Sequence, residues 1–343
     1  MKKILVFGEK YFNYTDSVVS ALERLGYLTE VVYMPVINKT KMNIYDKIKY
    51  KCNEKFFIDN FVNDVRKNLF YKINLFRPEI FLSINGNFYC EYITKDIIDV
   101  LKKNKCQTNL WYMDSIKRCE DVEQNINNFD RVFVFELNDI EYIKNKYGKE
   151  SYYLPIGIDE EIYNKKEKIK KDIDISFVGY PSNKRLNILE IIAKFCYLNN
   201  NVMKVFGIYY GNGLISKIKF KLKYPYLFKF VCNKLIYDKE VADVYNRSKI
   251  CLNIHIAEHK GLNPRTFEIM STYSFELCDE RIDFKKFGII AGEHIDTYKN
   301  EEDIIPKIEF YLKNNEKRNK IAEQAGRLVN NNFTIKNLIG KFF

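Results

Sequence analysis

The stretch GLNPRTFEIMSTYSFELCDER, residues 261–281, holds groups suited to a sugar phosphate. Asn263, Arg265 and Glu268 surround the start of a helix-length piece that begins near Thr266. A guanidinium beside a helix N-terminus suits a phosphate, because the unpaired N–H groups there and the helix dipole both favour an anion. A carboxylate one turn later suits a sugar hydroxyl. The same residues also suit an ordinary capped helix with an exposed Arg and a Glu that favours the dipole. Their place in the fold has to decide.

A second pattern lies just upstream. His255-Ile-Ala-Glu258-His259 fits H-x-x-E-H, an inverted zinc-protease signature. That chemistry needs both histidines on one helical face. ICLNIH has strand character, and Lys-Gly-Leu-Asn-Pro follows at once, so the helix has no room. His255 or His259 is instead expected to line a ligand pocket or to pack at a strand end. At the other end of the chain, Gly8 is followed by EKYFN and is not part of a G-x-G-x-x-G, which argues against NAD.

The elements that position these residues alternate. KKILVFG reads as a strand, TDSVVSALERLGY as a helix and TEVVYMP as a strand, the opening of an α/β domain with parallel strands. A long helix at 54–76, the strand PEIFLSING, a helix, the strand TNLWYMD, the strand FDRVFVFE and the helix NDIEYIKNKYG continue it. The charged stretch NKKEKIKKDID reads as a linker, and a second β/α series runs from DISFVGY through VMKVFG, KICLNIH, SFELCD and GIIAGE to two long helices. The expected division is residues 1–163, linker 164–174, residues 175–320, and a C-terminal helix at 321–343 packing back towards the first domain. In open α/β sheets ligands sit at the carboxyl ends of strands, so the strand-end residues are where chemistry is expected.

With 343 residues, 46% hydrophobic and 29% charged, the chain is long enough for two buried cores. Its eight cysteines are scattered without a CxxC pair, as expected for reduced thiols in a cytoplasmic protein. No run of 18 apolar residues exists to span a membrane. The net charge is +11, and between Glu190 and Asp238 there are eight lysines and no acid. In SKIKFKLKYPYLFKF, residues 216–230, Lys217, Lys219, Lys221 and Lys223 alternate with Ile218, Phe220, Leu222 and Tyr224. One reading is a solvated element with its apolar residues turned inward. The other is a peripheral contact with an anionic membrane, such as the inner face of the plasma membrane. Nucleic acid is not expected as a partner.

Four pieces in order, YLPIGIDEEIY, DIDISFVGYPSNKRLNIL, KICLNIH and GLNPRTFEIMSTYSFELCDE, resemble a GT-B glycosyltransferase, and more narrowly the bacterial family of CgeB-type spore-maturation proteins. The likeness is best over residues 151–335. It implies two Rossmann-like domains facing each other across a cleft, with a nucleotide-sugar donor held by the second and a hydroxyl acceptor by the first: a glycan, a lipid-linked saccharide or a protein. On the donor side it points to Gly179, Arg185, His255, Asn263, Arg265, Thr266 and Glu268, with Arg185 and Arg265 on the diphosphate and Glu268 on ribose or sugar hydroxyls. No metal or other cofactor is expected, since the cationic groups would stabilise the leaving diphosphate. On the acceptor side Asp114, ending WYMD, is the candidate base or acceptor contact, with Glu136, Asn138 and Asp139 as weaker versions, while Gly8 leaves room for a phosphate or the acceptor. Many retaining members carry a second glutamate eight positions before the Glu268 position; here Lys260 stands there and Glu258 lies two residues off. A catalytically inactive binding module of the same fold, or more remotely a nucleotide-sugar epimerase, are the alternatives.

Overall fold

In a computed structural model the residues described are 1–9, 13–34, 43–85, 93–119, 122–256 and 262–343. The chain divides into two compact units: unit 1 is Met1–Ile156 with Ile335–Phe343, and unit 2 is Gly157–Thr334. The calls on Glu258, His259 and Lys260 lie outside the described residues.

Unit 1 begins β1 (Lys3–Glu9), α1 (Tyr14–Arg24), β2 (Leu28–Met34), α2 (Ile44–Cys52) and α3 (Glu54–Phe76). It continues β3 (Ile80–Asn85), α4 (Lys95–Lys103), β4 (Gln107–Tyr112), α5 (Val122–Asn128), β5 (Arg131–Val134), α6 (Leu137–Tyr147) and β6 (Tyr152–Tyr153). The strands form one parallel sheet in the order β2-β1-β3-β4-β5-β6. The near-continuous apolar runs follow from burial on both faces. Leu5, Phe7, Phe81, Leu110 and Val132 meet Val65, Leu69 and Ile73 of α3 and Ile97 and Leu101 of α4 in one core. The single tryptophan, Trp111, is fully buried, and its Nε1 donates to the Leu154 carbonyl at 2.9 Å.

Unit 2 repeats the plan with β7 (Ile173–Val178), α7 (Asn183–Leu198), β8 (Met203–Phe206), α8 (Leu214–Lys223), α9 (Asp238–Arg247) and β9 (Ser248–Asn253). Then come α10 (Pro264–Ser271), β10 (Glu276–Asp279), β11 (Asp296–Tyr298), α11 (Glu301–Lys313) and α12 (Asn315–Asn332). The sheet is parallel, ordered β11-β10-β9-β7-β8. Ile175, Phe177, Val205 and Leu252 pack against Leu189 and Ile192 of α7 and Ile304 and Ile308 of α11. The last short helix, α13 (Ile335–Ile339), returns to unit 1. There Arg131 Nη1 donates to the Phe342 carbonyl at 3.2 Å, and the rings of Phe342 and Phe343 lie on Phe133.

The sequence expectations differ from this in four places. Residues 164–174 are folded onto unit 2 and do not form a free linker. The Lys166 N–H donates to Asn246 Oδ1 at 2.9 Å, Lys171 Nζ donates to the carbonyls of Asn246 and Ser248, and Arg247 pairs with Asp172. Charges that read as solvated thus have partners on α9 and at the start of β9, and the division falls between residues 156 and 157. Residues 321–334 stay with unit 2, where Gly326 of α12 lets the helix sit against the Tyr273 ring. GIIAGE is a turn: Gly288 and Gly292 take positive φ, and the strand follows as β11.

The fourth difference is the basic segment. α8 turns Phe220 inward, while Leu214, Ile215, Ile218 and Leu222 face solvent. Among the described residues no helix is long and apolar enough to cross a membrane.

The ends of β7 and β8 meet at two glycines. Gly207 has φ +144°, and a Cβ there would lie 2.3 Å from the Gly179 carbonyl oxygen. Gly207→Ala therefore combines a backbone strain with a clash against main chain, and should destabilise unit 2 by on the order of 3 kcal/mol. Urea denaturation checks this; a midpoint equal to the wild type would show that the two strand ends are not held as described.

Candidate functional site

The carboxyl ends of β7, β9 and β10 bring most of the expected donor-side residues together. Arg185, in the first turn of α7, is 3% exposed. Its Nε donates to the Ile254 carbonyl at 2.8 Å and its Nη1 to the Tyr180 carbonyl at 2.9 Å, and its guanidinium lies over the Phe177 ring. Burial first, and then the charge of Arg265, lower its pKa to about 10. It remains a cation at neutral pH, fastening two strand ends while sharing its surroundings with a second guanidinium. Gly179 lies between them: a Cβ there would meet the Phe177 ring at 3.0 Å and Arg185 Nη1 at 3.4 Å.

His255, just past β9, is 1% exposed. Its N–H donates to Asp279 Oδ1 at 2.9 Å, and its Nδ1 lies 2.9 Å from the same oxygen. Burial lowers the histidine pKa, with Asp279 opposing that shift. A neutral ring with the proton on Nδ1 satisfies the carboxylate and leaves Nε2 as an acceptor, and this buried Nε2 has no partner among the described residues. The other Asp279 oxygen takes Lys184 Nζ at 2.8 Å and Arg281 Nη2 at 3.0 Å. Burial alone would raise the Asp279 pKa, but the bonds from His255 and Lys184 hold it well below the ordinary carboxylate range. Lys184, Asp279 and Arg281 were not singled out by sequence reasoning. The signals were present in the Lys184-Arg185 pair at a helix start and in the acids that close SFELCDE.

The start of α10 is built differently from a capped helix. Asn263 occupies the N-cap position, but its side chain makes no cap hydrogen bond. It pairs instead with Asn253 of β9: Asn263 Nδ2 donates to Asn253 Oδ1 at 2.8 Å, and Asn253 Nδ2 donates to Asn263 Oδ1 at 3.1 Å. Asn253 also donates to Thr266 Oγ1 at 3.0 Å and Glu276 Oε1 at 2.8 Å, and Thr266 donates to Glu276 Oε1 at 3.2 Å. Asn263 and Thr266 thus dock α10 on the sheet, and the cap function of Asn263 is given up. Arg265, next in line, has no hydrogen bond or ion pair among the described residues. Glu268 is half-buried, and desolvation raises its pKa to about 7, with Arg265 opposing and Asp238 adding to the rise.

In unit 1 the residues expected on the acceptor side also lie at or just past strand ends. Asp114 Oδ1 accepts the Ser115 N–H at 2.7 Å, the bond of a tight turn. Asp139 is 1% exposed, and its Oδ2 accepts the Ile116 N–H at 2.9 Å while Oδ1 is a buried orphan among the described residues. Its pKa is raised mainly by burial, with Glu136 and Asp114 adding to the rise and Lys117 opposing it. Asp114, Glu136 and Asp139 therefore form one neighbourhood, with Asp139 the buried carboxyl in it. Gly8 corrects the sequence expectation. The room left by its missing side chain is filled by Thr15, whose Oγ1 would lie 2.6 Å from a Cβ and donates to the Glu9 carbonyl at 2.7 Å.

Glu276 gives a pH signature of this arrangement. Burial raises its pKa to about 7, while hydrogen bonds from Asn253 and Thr266 oppose the rise. A carboxyl whose folded-state pKa lies above its unfolded value binds more protons when folded. Stability should therefore fall as pH rises from about 4.5 to about 7, by roughly 3 kcal/mol from this group. Glu276→Gln keeps the acceptor oxygen and should flatten that part of the profile. Unfolding free energies measured between pH 5 and 8 check it, and an unchanged slope in the variant would refute it.

A family described as glycosyl transferase-like matches residues 199–343. A comparison with curated proteins finds no match. Among solved structures, sucrose-phosphate synthase from Thermosynechococcus elongatus aligns with a TM-score of 0.64 at 11% identity, covering 99% of this chain and 98% of that one. A glycosyltransferase from Rickettsia africae aligns with a TM-score of 0.66 at 12% identity, over 99% and 96% of the two chains. Anabaena HepE, in complex with UDP and glucose, aligns with a TM-score of 0.61 at 9% identity, over 99% and 98%. The two parallel-sheet units therefore share the GT-B fold of these structures, and the C-terminal part of the chain, residues 199–343, is glycosyl transferase-like.

Proposed function

We propose that the protein transfers a sugar from a nucleoside-diphosphate sugar to a hydroxyl of a glycan, a lipid-linked saccharide or a protein, without a metal. The observation that carries this reading is the pairing of like charges at the edge of the unit 2 sheet. The charge of Arg265 lies close enough to add to the lowering of the Arg185 pKa, beside a helix start whose cap residue is turned away. Two cations and a set of N–H groups there are unfavourable alone and favourable around a diphosphate. UDP is the first nucleotide to test, since HepE has been seen with it.

In this reaction the acceptor oxygen forms a bond to the anomeric carbon while the bond from that carbon to the diphosphate oxygen breaks. The acceptor proton passes to a carboxylate base, for which Asp114 is the candidate. The electron pair stays on the diphosphate, where Arg265 and Arg185 meet the growing negative charge. His255 Nε2 accepts a hydroxyl of the donor, and Glu268 takes hydroxyls of the sugar or ribose. The narrower kinship with CgeB-type proteins rests on the four sequence pieces in their order. A cytoplasmic setting is supported by the cysteines, which are free thiols among the described residues.

A second reading, a nucleotide-sugar binding module without turnover, is favoured by Lys260 at the position of a second acid. Release of free nucleotide from a donor panel separates the two: slow hydrolysis supports the transferase, and its complete absence supports the module.

Arg265→Ala should weaken UDP binding by roughly 10- to 100-fold, the loss of a charge-assisted contact. Arg265 makes no hydrogen bond or ion pair among the described residues, and its repulsion of Arg185 offsets its attraction for Glu268, so the unliganded variant should melt close to the wild type. Calorimetry and thermal shift read both effects. Failure of the wild type to bind UDP, GDP or related nucleotides would refute the donor site, and a variant that melts lower would show that Arg265 is structural.

A further inference from the structure

Helix α8 carries an exposed apolar stripe bordered by lysines on both sides. Leu214, Ile215, Ile218 and Leu222 are 72%, 71%, 47% and 78% exposed. At 3.6 residues per turn they fall within an arc of about 100°. The opposite face is anchored: Phe220 is buried among the rings of Tyr209, Tyr210, Tyr224 and Phe228. Lys217 and Lys221 border the stripe on one side, over the Phe228 ring, and Lys219 and Lys223 border it on the other. A helix that only covers a core would turn the apolar residues the other way.

The same pattern occurs once more, in unit 1. IYDKIKYKC of α2 and LISKIKFKL of α8 share apolar residues at their first, second, fifth and ninth positions, lysines at the fourth, sixth and eighth, and an aromatic at the seventh. In α2, Ile44, Tyr45 and Ile48 are exposed, as are Lys47, Lys49 and Lys51. The aromatic at the seventh position, Tyr50, again faces protein and meets the Phe57 ring. Each unit therefore carries one helix held by its seventh-position aromatic, with an apolar stripe outward between lysines.

We infer that α8 and α2 are docking helices for an anionic lipid bilayer. Each lies in the plane of the interface with its apolar stripe among the headgroups and upper acyl chains, and its lysines at the phosphates. Charge complementarity selects this occupant. The chain from Ile191 to Tyr237 holds eight lysines and no acid, so a neutral or basic protein face would find nothing to pair with. A second copy of the chain would bring its own lysines against these. The inference is independent of the donor-site reading.

Co-sedimentation of the full chain with phosphatidylcholine vesicles, with and without phosphatidylglycerol, tests it. The expected result is binding to the anionic vesicles that weakens with salt. Loss of at least about tenfold in partition is expected for Leu214→Ser with Leu222→Ser, for Lys217, Lys219, Lys221 and Lys223 all changed to Glu, and for Ile44→Ser with Ile48→Ser. These side chains are exposed, so melting temperature and UDP affinity should match the wild type, and a failed donor site leaves the membrane result readable. Wild-type chain that stays in the supernatant overturns the inference, as does partition that ignores the variants or the vesicle charge. A dimer or an RNA complex that the same variants abolish, with no vesicle binding, overturns it in favour of that partner.

Discussion

Asp279 ends β10 with both oxygens engaged, Oδ1 by the N–H and Nδ1 of His255 and Oδ2 by Lys184 and Arg281. The candidate donor site depends on this one carboxylate. A charge this deep is expensive to hold without partners, and removing one partner of a buried pair leaves the others uncompensated. Here the partners come from three separate elements: the start of α7, the end of β9 and the turn after β10. The carboxylate thus fixes the relative positions of three strand ends and the tautomer of His255. It also neutralises part of the cationic cluster that Lys184, Arg185, Arg265 and Arg281 build. Asp279 only partly offsets the effect of Arg265 on Arg185, whose pKa stays lowered.

Much of the fold was legible because a parallel sheet buried on both faces writes its strands as short apolar runs separated by amphipathic helices. The strand ends at Gly179, Asp114 and His255 could be located in this way, and so could the helix opening at Pro264. Side-chain direction was not legible. Asn263 looked like a cap or a ligand contact, and its amide in fact pairs with Asn253, ten residues earlier and on another element. Gly8 looked like room for a ligand, and the room is used by Thr15. Both depend on tertiary neighbours that no local pattern encodes. The charged stretch 164–174 misled for a related reason. Composition alone cannot tell a solvated linker from one whose lysines find carbonyls at the end of a helix, as Lys171 does at Asn246 and Ser248.

Helix α8 shows where periodicity is ambiguous even when the element is correctly placed. Lysines at every second position leave Ile218, Phe220, Leu222 and Tyr224 between them, and on a helix those four cannot share one face. The packing of aromatic rings decides which go in. Phe220 and Tyr224 have ring partners, Ile218 and Leu222 have none, and the aliphatic pair is left outside.

Local choices in a folded chain normally agree with one another, and the exceptions tend to collect where function lies. Unit 2 has such exceptions close together. Asn263 stands at a helix start and does not cap it. Two arginines share a neighbourhood, and neither forms an ion pair with a carboxylate among the described residues. A buried histidine nitrogen has no donor among the described residues. Glu268 sits where desolvation pushes its pKa to about 7. Each is unfavourable for the empty protein, and the proposed donor would relieve each with a different part: its diphosphate the arginines and the helix start, its hydroxyls the histidine and the carboxyl. A purely structural account would need four separate compensations. One nucleotide sugar would supply them together, so the donor-site proposal rests more on these unmet interactions than on the motif.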